Sequence, residues 1–302
     1  MNIPNFLIIG AAKSGTTALY RYLKQHPEIF MPDRKEPHHF SFDDITKNTK
    51  GPGDYVRTAI TDKKEYQSLF SSVNNQKAVG EASPTYIYVP GTAERIYSEL
   101  PNSKLIAILR NPADRAFSAY MHLVRDGYET VFDFSEALNL ENERIKKNWG
   151  PIWHYKKAGL YHEQLTSYFN LFRNNQILII IYDDYKKDPS RINKSIFNFL
   201  NVDESFLPDM SAKPNVSGIP KNIYFQRIMS YFFDRDNIIR TFSRNLFSEE
   251  IRWRVTSYIR NHNLQKIKMS PEVRSGLVDY FRNDINKLQN LINRDLSHWL
   301  IY

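Results

Sequence analysis

Short apolar runs alternate with amphipathic stretches through the first two hundred residues, a pattern of strands alternating with helices. Residues 6–9 are apolar and long enough for one buried strand, and 10–15 form a turn of small residues carrying one lysine. From Thr16 the period becomes helical, with Ala18, Leu19, Tyr22 and Leu23 on one face until His26-Pro27 stops the run. Residues 28–32 read as extended, 35–40 as a loop in which Pro37 blocks helix, 41–61 as a surface loop, and 63–73 as a short helix. Residues 78–84 predict a second core strand ending in a turn, 92–100 a helix, and 105–109 a strand apolar on both faces. The next helix carries a stripe of Ala113, Ala116, Phe117, Tyr120, Met121 and Val124. Residues 134–148 and 159–172 read as helices, 177–182 as the most apolar strand, and 189–200 as a helix. A loop over 208–222 leads into a helical part with no predicted strand, ending in a long helix over 271–292.

This alternation predicts an α/β fold, a three-layer sandwich with a mainly parallel central sheet and a helical C-terminal part, and the glycine turn over 10–15 adds the expectation of a P-loop-like nucleotide-binding core. With no internal repeat and no linker, residues 1–302 are expected to form a single domain. Ligands of such sheets bind outside the carboxyl ends of the strands. The pattern puts Lys13, Glu81 to Ser83, Arg110 and Asp183-Asp184 there. An apolar content of 41% supports a substantial core and excludes wholesale disorder. The chain has no cysteine, which excludes disulfides and thiolate metal sites and fits a reducing compartment. A strand starting at residue 6 leaves no room for a signal peptide, and no apolar run nears the roughly 20 residues of a membrane span. A cytoplasmic location without a membrane span is therefore expected. The net charge of +8 suits anionic ligands or, equally, a solvated basic surface. The aromatics follow core periodicity, so nucleic acid is not an expected partner.

Strand, glycine turn and helix together are a device for holding phosphate, because turn N–H groups and the positive helix end converge on the anion. The nucleotide-loop spacing G-x-x-x-x-G-K-[ST] is met by Gly10, Gly15 and Thr17, but Thr16 stands where the lysine belongs. The turn's one lysine is Lys13. A loop of Lys13, Ser14, Gly15, Thr16 and Thr17 is thus expected to cradle phosphate while placing its charge differently. Arg110 and the off-stripe hydroxyl of Ser118 offer a second anion site, since arginine forks onto phosphate oxygens. The bland alternatives are an incidental lysine and an Arg110–Asp114 surface ion pair.

Lys13-Ser14-Gly15-Thr16-Thr17 closely resembles the signature loop of sulfotransferases that use 3'-phosphoadenylyl sulfate (PAPS), and residues 109–120 resemble their 3'-phosphate motif. Lys35-Glu36-Pro37-His38 is similar to the acceptor-side segment of the branch that holds the heparan sulfate sulfotransferases and many bacterial relatives. Residues 215–221 sit at the family's late nucleotide-clamping loop, and 294–299 resemble the ending of bacterial members. The resemblance implies PAPS as sulfuryl donor, 3',5'-ADP (PAP) as product and no required metal. It implies Glu36 as general base, Lys13 on the leaving phosphate oxygen, and His38 either orienting the acceptor or sharing the base role. It adds Ser217, Gly218 and Lys221 to the nucleotide site. The expected acceptor is a hydroxyl, less readily an amine, of a glycan, glycolipid or small molecule, with Glu81, Tyr86, Tyr161 and His162 as candidate lining residues. Ala82 stands where the heparan-modifying enzymes carry a second lysine, which weakens transfer of their polysaccharide substrate. Two other readings compete: a P-loop kinase or ATPase with 177–183 as its Walker B strand, and a non-catalytic binder of anionic polymers.

Overall fold

The computed structural model describes residues 3–53, 55–211, 219–220, 264–265 and 267–302. Five strands form its main sheet: β1 (Phe6–Gly10), β2 (Ile29–Phe30), β3 (Ala78–Ala82), β4 (Lys104–Leu109) and β5 (Ile177–Ile181). Their order is β2-β3-β1-β4-β5, and every neighbouring pair is parallel. Side chains alternate across the sheet. Phe6, Ile8, Ile106 and Ile108 point to one face, where they bury against α1 (Thr16–Leu23), α8 (Tyr182–Lys187) and α9 (Pro189–Leu200). Leu7, Ile9, Leu105, Ala107 and Leu109 point to the other, against α3 (Thr92–Glu99), α4 (Pro112–Arg125), α7 (Tyr161–Leu171) and α10 (Pro271–Ile292). The three layers and parallel sheet are those the apolar pattern predicts, because a strand covered on both faces must be apolar on both. Gly80 pairs with Phe6 across the sheet, and a Cβ there would lie 2.4 Å from the Phe6 ring.

Capping explains several helix starts. Asn111, Asp188 and Ser270 cap α4, α9 and α10 through their side chains, each followed by proline at the first helical position. Asn201 and Asn293 end α9 and α10 in the left-handed region. Some boundaries differ from expectation. The 63–73 helix stops early as α2 (Lys63–Ser68), and the 134–148 helix is divided at Leu140 into α5 (Phe134–Asn139) and α6 (Glu141–Lys146). Tyr182, expected at the end of a strand, begins α8. The late part holds a strand pair the sequence does not predict, β6 (Ile219–Pro220) antiparallel to β7 (Leu264–Gln265), since two-residue strands carry no readable period. Among the described residues, no helix is long and apolar enough to cross a membrane.

Candidate active site

The carboxyl ends of β1, β3, β4 and β5 lie side by side, and the candidate residues gather there. After β1 the chain turns through Lys13 (φ 68°) and Gly15 (φ 101°) into α1. No side chain caps this helix, and Gly15 takes the cap position just before it with the freedom its positive φ requires. The backbone N–H groups of Gly15, Thr16 and Thr17 have no hydrogen-bond acceptor among the described residues. Ser14 is fully buried, its hydroxyl beside that of Tyr161 but without a hydrogen bond of good geometry. Unsatisfied N–H donors at a helix start, with a buried hydroxyl beside them, form a cradle that a phosphate oxygen completes. Thr16 is buried at the helix start.

Arg110 follows β4 and leans over the loop. Its Nη1 donates to the Lys13 carbonyl at 3.3 Å, its guanidinium lies 5.2 Å from the centre of the Tyr182 ring, and its own carbonyl accepts from the Tyr161 hydroxyl at 3.0 Å. The same Tyr182 ring would lie 3.2 Å from a Cβ on Gly15. Tyr182 therefore braces both loop and arginine, a role the sequence analysis missed; its position directly after an apolar parallel strand was the available signal. Asp114 pairs with Arg274 rather than Arg110. Ser118 is buried on α4, the helix against which β6 packs, rather than standing open. Ser217, Gly218 and Lys221 lie outside the described residues.

The loop after β2 forms the opposite wall. Glu36 (φ 62°) and His38 (φ 54°) both occupy the left-handed region, unusual for residues other than glycine. Backbone bonds anchor them to the end of β3: Glu36 N–H donates to the Ala82 carbonyl at 3.1 Å and His38 N–H to Ser83 Oγ at 3.0 Å. Lys35 Nζ pairs with Glu36 Oε1, while His38 Nε2 lies 3.8 Å from Glu36 Oε2. Burial pushes the Glu36 carboxyl up, but the nearby positive charges, Lys35 first and Lys13 among them, outweigh it and hold the group below the usual carboxylate range. Burial drives His38 down to about 4, so its ring is neutral at neutral pH. Burial also lowers the Lys13 ammonium to about 7, aided by Arg125 and opposed by Asp126 and Glu36. Arg125 and Asp126, bonded to each other at 2.7 Å at the end of α4, are thus further neighbours of the lysine that the sequence analysis did not single out.

The expected lining residues are not gathered in an open pocket. Glu81 and Tyr86 are fully buried. Ser83 Oγ donates to Glu81 at 2.9 Å and Tyr66 OH at 3.4 Å, while Tyr86 OH accepts from Phe40 N–H at 3.4 Å. Through Ser83 and Phe40 these two residues back the Glu36–His38 loop. Tyr161, also fully buried, holds the Arg110 backbone, and the His162 N–H donates to Asp284 on α10. The candidate Walker B aspartates serve the C-terminal segment: Trp299 Nε1 donates to Asp183 at 3.2 Å, and Arg294 pairs with Asp184 at 2.7 Å.

Comparison with known proteins bears on this arrangement. The family model described as the sulfotransferase domain matches residues 4–290. The crystal structure of a sulfotransferase from Alicyclobacillus acidocaldarius superposes with a TM-score of 0.78 at 36% identity, covering 99% of both chains. Among curated proteins, the membrane-associated sulfotransferase kil1 of Dictyostelium discoideum is 26% identical over 98% of this chain and 66% of its own length. The bifunctional heparan sulfate N-deacetylase/N-sulfotransferase 4 of Mus musculus is 24% identical over 95% of this chain and 32% of its own length. The chain thus spans just under two thirds of the first relative and about a third of the second.

Proposed function

The chain belongs to the sulfotransferase domain family, and on that premise we propose that it moves a sulfuryl group from PAPS to a hydroxyl of a glycan, glycolipid or small-molecule acceptor. The observation that carries this reading is the meeting of two opposite charges from distant parts of the chain. A carboxylate held ionised, Glu36, faces a phosphate-type loop whose lysine, Lys13, is braced by Arg110. The residues fit the donor: uncapped N–H groups and Ser14 Oγ suit the 5'-phosphosulfate, and Arg110, stacked on Tyr182, suits a 3'-phosphate.

Transfer forms a bond from acceptor oxygen to sulfur and breaks the bond from sulfur to the phosphate oxygen. Glu36 takes the acceptor proton, a role contributing about 10²–10⁴-fold. Lys13 neutralises charge developing on the departing phosphate oxygen of 3',5'-ADP. Glu36→Gln should therefore lower kcat by about 10²-fold or more with donor affinity unchanged. Lys13→Ala should damage both, since one ammonium serves ground and transition states. Calorimetry with 3',5'-ADP and 5'-AMP tests the donor, the former binding about 10²-fold more tightly because of the added phosphate contact. Equal affinities would remove the case for a 3'-phosphate site.

A further inference from the structure

Proton transfer to Glu36 leaves His38 and two hydroxyls behind it without a task. The His38 ring is 1% exposed, and its Nδ1 lies 2.8 Å from Thr85 Oγ1. Thr85 Oγ1 lies in turn 2.9 Å from Ser41 Oγ, and both residues are buried. On the other side of the ring Nε2 lies 3.8 Å from Glu36 Oε2. A hydroxyl has one proton, so this chain can run in only two directions. If Thr85 donates to Nδ1, the ring proton sits on Nε2 and faces the carboxylate. If Nδ1 carries the proton, the Nε2 lone pair faces a carboxylate oxygen, which is repulsive. The charged groups around the ring are Glu36, Lys35 and Arg34, and burial keeps the ring itself neutral. An ionised Glu36 therefore selects the first direction.

We propose that Thr85, backed by Ser41, is a positioning residue: its hydroxyl donates to Nδ1 and so holds His38 in the Nε2–H tautomer that the Glu36 charge selects, with the ring edge turned to the carboxylate. Glu36 needs such support. Lys35 pairs with Oε1, and the His38 ring edge, 3.8 Å away, is the neighbour on the Oε2 side. The proposal rests on Glu36 acting as the base.

Imidazole ¹⁵N shifts of His38 at neutral pH read the tautomer directly and require no variant. The wild type should show Nε2 protonated and Nδ1 unprotonated; the reverse would overturn the proposal. Thr85→Val leaves the Nδ1 lone pair without its donor and should move the Nδ1 resonance downfield and lower kcat about tenfold, with the affinity for 3',5'-ADP within about twofold of wild type. Thr85→Ser keeps the hydroxyl and should restore the wild-type shifts and most of the turnover. A Thr85→Val protein with unchanged shifts and unchanged kcat would also overturn it. Should Glu36→Gln retain turnover, the base assignment fails, whereas the nitrogen shifts of the wild type and Thr85→Val still report whether Thr85 donates to Nδ1.

Discussion

As pH rises Glu36 gains its charge and Lys13 loses its own around one site, and this sets a pH window. Glu36 must be ionised to accept a proton, and positive neighbours hold it below the usual carboxylate range despite burial. Lys13 must be charged to meet the donor, and burial brings it down to about 7. The profile of kcat/KM for the donor, which reports the free enzyme, should be flat through mildly acid pH and fall above about pH 7. A bound polyanion favours the ammonium, so the basic limb of kcat should lie at higher pH than that of kcat/KM. Lys35→Ala should move the acid limb upward, because the strongest positive charge holding Glu36 ionised is gone. Superimposable basic limbs for kcat and kcat/KM would mean that another group, not Lys13, governs donor capture.

At the scale of the element, α4 links helix capping to ligand binding. Asn111 accepts from the N–H groups of Ala113 and Asp114 at 3.0 and 3.3 Å, while its Nδ2 donates to the Trp299 carbonyl at 3.3 Å. The residue before it is Arg110, whose guanidinium reaches the Lys13 carbonyl. Asn111→Ala should cost about 1 kcal/mol of stability, the usual worth of such a cap. It should also weaken 3',5'-ADP binding, because the turn presenting Arg110 loses its anchor. Asn111→Asp keeps the cap and should recover most of the stability. Denaturant titration and calorimetry on the two variants check this; lost stability with unchanged nucleotide affinity would uncouple the cap from the site.

At the scale of the whole molecule, Glu81 ties the sheet to the catalytic wall. It is fully buried on β3, and burial raises its carboxyl to about 7 even though hydroxyls of Tyr86, Ser83 and Tyr66 favour the ionised form. A carboxyl raised in the folded state stabilises the fold below its unfolded pKa, and that contribution is lost as pH rises through the folded value. The loss amounts to about 3 kcal/mol when complete, at 1.36 kcal/mol for each pKa unit. Stability measured by denaturant should therefore fall between about pH 4.5 and 8 in the wild type by more than in Glu81→Gln. A difference between the two proteins that stays constant over that range would show that Glu81 does not change its ionisation on folding.

The features that could be read from the sequence are those encoded by near neighbours. Short apolar runs and the 3.6-residue period placed β1, β3, β4, β5 and most helices, because burial and side-chain direction follow backbone geometry residue by residue. The turn from Gly10 to Gly15 and the Asn111-Pro112, Asp188-Pro189 and Ser270-Pro271 helix starts were legible for the same reason: the interactions span two or three residues. The site was legible only as separate pieces. That Glu36 faces the charge of Lys13, that Tyr182 braces Gly15 and Arg110, and that Asp183 is taken by Trp299 depend on contacts between segments far apart in the chain. Glu81 shows the difference most clearly. A glutamate in a small apolar run beside a turn reads as a ligand for something outside, yet burial beneath Ser83, Tyr66 and Tyr86 makes it part of the core. Sequence spacing carries local geometry, but solvent exposure and the charges that set a pKa belong to the packed chain, and only the tertiary structure decides them.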